Sequence, residues 1–332
     1  MRVAILDDYF DTLRTLACFA LLDGHDVTVW TDHVQDVDTL ADRLGDVDAL
    51  VLIRERTTVS AELLERLPRL ALISQRSVYP HVDVAACTRQ GVVLCSDLHT
   101  ATASRSTAEL TWALILASAR RLPQQVASMR AGQWQSGIGR TLEGQRLGVY
   151  GYGRIGRTVA QYGLAFGMSV VTWGSERGRA RERDEAVELA ENREAFFAEC
   201  DVVSVHVRLV DATRGVITGA DLARMKPTAT FVNTSRSGLV EPGALVAALR
   251  AGRPGAAALD VFDVEPLRDT ADPLLWMDNV ICTPHVGYVT REEWEVQFAD
   301  IFAQINAYAA GAPINVVNPE ALGHPRRGAA AD

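Results

Sequence analysis

Between Gly151 and Gly156 the chain reads GYGRIG, directly after the apolar run RLGVY (146–150) and directly before a helical pattern. Three glycines so spaced, leaving a strand and opening a helix, match the phosphate turn of a dinucleotide-binding βαβ unit. Gly151 permits the tight turn, Gly153 lets the backbone approach a pyrophosphate, and Gly156 lets the helix pack closely on the strand. The amides of Arg154, Ile155 and Gly156 then meet the phosphates at the positive end of the helix dipole. The plainer reading is a glycine turn that merely joins strand to helix, and the context weighs against it. About 20 residues on, where an acid usually holds the ribose hydroxyls of NAD, stands Gly174, followed by Ser175, Glu176 and Arg177. Gly174 has no carboxylate to repel a 2′-phosphate, and Arg177 offers it a guanidinium, so NADP stands close behind NAD. Glu176, reaching from a shifted turn, would instead favour NAD.

Two further sets of residues carry charge at strand ends. His206 and Arg208 either line the adenine pocket or are a packed histidine and an exposed arginine. Arg54 and Arg56 follow the apolar run 49–53 and offer a second anion site for a phosphate or carboxylate, or else a solvated basic turn. The remaining histidines, His25, His33, His81, His99 and His324, lack metal-ligand spacing.

The elements that must position these groups alternate in kind. Apolar runs at 3–6, 26–30, 49–53, 70–74 and 92–95 predict five strands, with helices over 60–67 and 82–90 between two pairs of them. Connections of this length suit crossover helices, hence a parallel sheet covered on both faces. A helix apolar nearly all round, at 104–121, predicts burial between domains or subunits. A second alternation follows, with strands at 146–151, 169–173, 201–207, 228–233, 256–261 and 279–283, then a helix over 291–311 and a frayed tail from Pro319.

Composition limits the class. With 332 residues, 48% of them hydrophobic, the chain has material for two cores. A formal net charge of −9 argues against a surface built to neutralise nucleic acid phosphates. The five cysteines are scattered, the N-terminus meets Asp7 and Asp8 before any signal-like apolar region, and no run is long enough to span a membrane. The expectation is a cytoplasmic protein.

LGVYGYGRIG, TRGVI (213–217), LARMKPTATFVNTSRSGLVE (222–241), ALDVFDVEP (258–266) and TPHVGY (283–288) occur in order, and together the chain resembles the D-isomer-specific 2-hydroxyacid dehydrogenase family. The resemblance covers nearly the whole chain. It implies that Arg236 binds a substrate carboxylate, that His285 is the acid/base, and that Glu265 pairs with His285. Asp260 would accept a hydrogen bond from the nicotinamide amide, with Thr234, His285 and Gly287 also near the cofactor. Reducing a 2-keto acid needs a hydride and a proton, and an imidazolium is a natural donor near neutral pH. A guanidinium can grip the carboxylate through two bonds and orient the carbonyl. Taken singly, Arg236 also reads as a loop cap, Glu265 as a surface ion pair and His285 as a core histidine.

The family's glycine-rich substrate loop reads here SQRSVYPHVD (74–83), with Arg76, Ser77 and Tyr79 in place of the glycines. Arg54, Arg76, Ser77 and Arg236 are therefore the expected substrate contacts. The resemblance implies a flavodoxin-like substrate domain, 1–98 and 291–332, with a Rossmann NAD(P) domain, 99–290, inserted into it. The crossings would lie near 97–102 and 286–291, with a hinged cleft where cofactor and substrate meet. It also implies a homodimer through the cofactor domain and a small anionic 2-keto or 2-hydroxy acid as substrate. Two alternatives are an NAD(H)-sensing corepressor and a formate- or phosphite-oxidising enzyme. The formate enzymes carry Gln at the position of Glu265, which counts against the latter.

Overall fold

The computed structural model describes residues 1–98, 105–174 and 187–324. The chain divides into two compact units, one made of 1–102 with 290–332, the other of 103–289.

The first unit is a five-stranded sheet, β1 (Arg2–Ile5), β2 (Asp26–Val29), β3 (Ala49–Val51), β4 (Leu72–Arg76) and β5 (Val93–Asp97), in the order β2-β1-β3-β4-β5. Every pairing is parallel, and this is the flavodoxin-like order. Its helices start where short polar side chains cap free amides: Asp36 accepts from Thr39, Ser60 from Leu63, and Asp83 from Ala86. The C-terminal helix, Arg291–Ala309, covers the sheet with Phe298, Ile301, Phe302 and Ile305, all buried. After Gly311 the chain runs antiparallel against the edge at β5, Cys95 bridging Val316. The Asn318 side chain fixes it there, donating to the Val92 carbonyl and accepting from the Leu94 amide. The tail is therefore ordered further than composition suggests, with a turn at Pro319–Gly323 that buries Ala321.

The second unit carries seven strands, β6 (Arg146–Tyr150), β7 (Ser169–Trp173), β8 (Glu188–Leu189), β9 (Val202–Val205), β10 (Thr230–Asn233), β11 (Ala256–Leu259) and β12 (Val280–Cys282). Their order, β12-β11-β10-β9-β6-β7-β8, is the doubly wound Rossmann arrangement with one further strand. The two-residue edge strand β8 carries too little pattern to be read from sequence. The all-round apolar helix, Ser106–Ala119, packs within this unit, so the expected burial between domains or subunits is not needed to explain it. Trp112 donates its indole N–H to the Val159 carbonyl at 3.0 Å and stacks on Phe166 at 4.6 Å.

Candidate active site

The glycine turn leaves β6 and enters the helix Arg154–Ala165, with Gly153 as its N-cap. Gly151 has φ +98, and a Cβ there would stand 2.8 Å from the His206 carbonyl oxygen. At Gly156 a Cβ would lie 2.1 Å from the Gly151 carbonyl oxygen, so the helix and the turn touch because that side chain is missing. At Gly153 a Cβ would meet nothing within 4 Å. That open, side-chain-free amide cradle at a helix N-terminus fits a pyrophosphate. Arg154 is exposed beside it and Ile155 is half-buried.

Gly174 directly follows β7, and a Cβ on it would lie 3.7 Å from Gly151 Cα, so a side chain there would face the turn. Ser175, Glu176 and Arg177 lie outside the described residues. His206, just past β9, bonds Ser204 Oγ through Nε2 at 2.8 Å, and burial pushes its pKa down to about 3. It is therefore a neutral ring at physiological pH.

Arg236, Glu265 and His285 follow β10, β11 and β12, three adjacent parallel strands, so their loops leave from one edge of the sheet. His285 Nδ1 lies 2.5 Å from Glu265 Oε2. The other carboxylate oxygen accepts from the Phe262 amide at 2.9 Å. Burial pushes the Glu265 carboxyl up, but the His285 hydrogen bond and charge, the Phe262 amide and the Arg236 charge outweigh it, and the group sits below its usual range. An ionised Glu265 makes Nδ1 the protonated nitrogen and leaves Nε2 to act on a ligand. His285 itself adopts φ 53, a left-handed conformation, and Tyr288 meets its ring edge-on at 5.6 Å.

Arg236 is extended backbone opening the turn Ser237–Leu239. Its carbonyl accepts from the Asn233 side chain at 2.9 Å, while Asn233 Oδ1 accepts from the Ser235 amide. One guanidinium nitrogen donates to the Ser235 carbonyl at 2.7 Å.

Asp260, fully buried, anchors the loop that carries His285. Its Oδ1 accepts from Thr283 Oγ1 at 2.6 Å and the Val286 amide at 2.9 Å, and its Oδ2 from the Gly287 amide at 2.9 Å. Burial leaves its carboxyl above the ordinary value despite these bonds. Thr107 donates to the Gly287 carbonyl, and Thr111 bonds Thr234 hydroxyl to hydroxyl at 2.8 Å. Thr107, Thr111, Thr283 and Asn233 were not singled out by sequence, where an isolated threonine or asparagine carries no signal.

In the first unit, Arg76 is buried at the end of β4 and pairs through Nε with Asp300 of the C-terminal helix at 3.4 Å. Ser77 has φ 81. Arg54, with φ 58, lies 3.8 Å from Glu55, and Arg56 donates to the Asp7 carbonyl while lying over the Tyr9 ring. Among the described residues no group of three or more His, Cys, Asp or Glu could hold a metal ion, and no helix is long and apolar enough to cross a membrane.

Removing the Glu265 charge gives a direct check on the pair. In Glu265→Gln the carboxylate that holds the His285 ring through Nδ1 is replaced by a neutral amide, so kcat for carbonyl reduction is expected to fall by about tenfold or more while NADH binding holds. Wild-type kcat in steady-state kinetics would show that the short contact does not position the proton donor.

Comparison with known proteins adds an independent finding. Residues 112–287 match the family profile described as D-isomer specific 2-hydroxyacid dehydrogenase, NAD binding domain. The chain is 38% identical over 312 residues to a glyoxylate reductase of Aeropyrum pernix, covering 90% of this chain and 91% of that one. An oxidoreductase from Ralstonia solanacearum superimposes with a TM-score of 0.92 at 50% identity, over 97% of this chain and 98% of that one. A phosphoglycerate oxidoreductase from Vibrio cholerae superimposes at 0.89 with 45% identity, over 94% and 100%.

Proposed function

Because this chain belongs to the D-isomer specific 2-hydroxyacid dehydrogenase family, we propose that its described site interconverts a small 2-keto acid and the D-2-hydroxy acid, with NAD as the redox partner. The observation that carries the reading is the His285–Glu265 pair, held within electrostatic reach of Arg236 at the carboxyl edge of a sheet that also bears the glycine turn. Gly151, Gly153 and Gly156 with the amides of the following helix turn would hold the pyrophosphate. Bound there in reduced form, NAD supplies the hydride.

Arg236 binds the substrate carboxylate and orients the carbonyl carbon. His285 delivers its Nε2 proton to the carbonyl oxygen, while Nδ1–H stays bonded to Glu265, which stabilises the charged ring before transfer and fixes its orientation after it. Asp260 holds the His285 loop through two backbone amides and Thr283, and one remaining lone pair would accept from a carboxamide. The second unit binds the nucleotide, and Arg54, Arg76 and Ser77 of the first unit are proposed as anion contacts in their own right. The test is loss of NADH absorbance with glyoxylate, pyruvate and hydroxypyruvate. Tight NADH binding with no reduction of any of them would favour a nucleotide-sensing protein instead.

The same reading includes a homodimer through the second unit. Leu122, Val126, Met129, Trp134 and Ile138 stand exposed on the helix Leu122–Arg130 and the segment after it, Ile138 at 94%. An apolar set this exposed is suited to cover by a second copy. Sedimentation should give a dimer that Ile138→Glu weakens; a monomeric wild type would remove the interface.

A further inference from the structure

In the second unit the helix Ser106–Ala119 is mostly apolar, which makes the hydroxyls near its start conspicuous. Thr107 and Thr111, one helical turn apart, lie on one face of it. Thr107 Oγ1 donates at 3.0 Å to the carbonyl of Gly287, two residues beyond His285. Thr111 Oγ1 donates to the Thr107 carbonyl at 2.7 Å and meets at 2.8 Å the hydroxyl of Thr234, two residues before Arg236. A hydroxyl has one proton, and that of Thr111 goes to Thr107, so Thr234 is the donor in the second contact. A directed line of hydrogen bonds thus runs from Thr234 through Thr111 and Thr107 to Gly287, and the chemistry above assigns it no part.

Each end of that line meets a loop that needs holding. The left-handed conformation of His285, φ 53, persists where neighbouring structure fixes the loop around it. Gly287 has both polar backbone groups committed, its amide to Asp260 and its carbonyl to Thr107. It is packed as closely as it is bonded, since a Cβ there would lie 3.1 Å from Asp260 Oδ2 and 3.4 Å from Thr107 Cγ2. At the other end Thr111 and Thr234 are buried, so water does not replace their contact if it is lost. Near its C-terminus the same helix meets β10 again, Ser118 Oγ lying 3.3 Å from Thr230 Oγ1 at the opposite end of that strand. That contact docks the helix far from His285 and Arg236 along the strand.

We propose that Thr107 and Thr111 are positioning residues, and that this face of the helix sets the separation between the proton donor His285 and the carboxylate-binding Arg236. The proposal rests on the 2-keto acid reading given above. In a 2-keto acid the carboxylate and the carbonyl stand on adjacent carbons, so the substrate cannot stretch to absorb an error in that separation. A displacement of about 1 Å can lower a rate by about 10²-fold. Thr107 acts through the backbone of the His285 loop and Thr111 through the residue that leads into Arg236, so loss of either hydroxyl releases one side of the pair.

The experiment measures kcat and KM for reduction of glyoxylate, pyruvate and hydroxypyruvate in the wild type, Thr107→Val, Thr107→Ser, Thr111→Val and Ser118→Ala. Rates are expressed per NADH-binding site, so unfolded protein does not count. Valine keeps the shape of threonine and drops the hydroxyl. Thr107→Val should lower kcat about tenfold with KM for the acid little changed, because the proton donor is displaced and the carboxylate grip is not. Thr107→Ser, which returns the hydroxyl, should recover most of that loss. Thr111→Val should raise KM for the acid about fivefold or more, because Arg236 is the side released. Ser118→Ala should match the wild type. Should Thr111→Val fail to fold, the two Thr107 variants and Ser118→Ala still decide. Wild-type kcat in Thr107→Val, a serine variant no better than valine, or an equal loss in Ser118→Ala would overturn the positioning role and leave the reaction standing. An unmoved KM in folded Thr111→Val would overturn the part given to Thr111. A wild type inert toward all three acids would overturn the reaction itself and the proposal with it.

Discussion

His285→Asn is expected to lower kcat for 2-keto acid reduction by about 10²–10⁴, the usual worth of a positioned proton donor. Asparagine suits this test because His285 sits at φ 53, a left-handed conformation that asparagine tolerates better than most residues. The loop held by Asp260 through the Val286 and Gly287 amides should therefore survive. What is lost is the Nε2 proton, since the shorter amide ends before that position and is a far weaker acid. NADH titration should still show binding through the glycine turn. Turnover within a few fold of wild type would remove His285 from proton transfer and leave its contact with Glu265 as a structural ion pair.

Arg236→Lys should cost about 10²–10³ in kcat/KM although the charge is unchanged. A guanidinium presents parallel N–H groups to a carboxylate, whereas an ammonium on a flexible stem acts as a point charge and leaves the carbonyl free to tilt. In this fold the Arg236 backbone is fixed by Asn233, and one guanidinium nitrogen is already committed to the Ser235 carbonyl, so the side chain starts ordered. Lysine would give up that order as well as the fork. The loss should fall on keto acid turnover while NADH affinity holds. Near wild-type kinetics with every accepted acid would place the carboxylate elsewhere.

Sequence determined the glycine turn and the kind of fold. Gly151, Gly153 and Gly156 have meaning locally, because a turn that brings backbone amides to an anion is built within a few residues. The alternation of apolar runs with amphipathic stretches implied two parallel sheets for the same local reason, since strand and helix periods are written into consecutive residues. Arg236, Glu265 and His285 were legible as an ordered series, and the family's order of motifs supplied their roles.

Tertiary structure decided what those residues touch. Strand order places β10, β11 and β12 side by side, and only that adjacency sets Glu265 against His285 across 20 positions of sequence. Asp260, expected at the nicotinamide, is seen to hold the His285 loop in place, a role that depends on amides 26 and 27 residues away. The helix Ser106–Ala119 announced burial by its composition but not its cover, because an apolar surface is satisfied by any apolar partner of suitable shape. Thr107 and Thr111 gave no signal along the chain, and their partners, 180 and 123 positions away, emerge only once the strands are folded. Hydrogen bonds and ion pairs act over a few ångströms in space, so whether a polar side chain is satisfied is a property of the folded neighbourhood and is not written in its place along the chain.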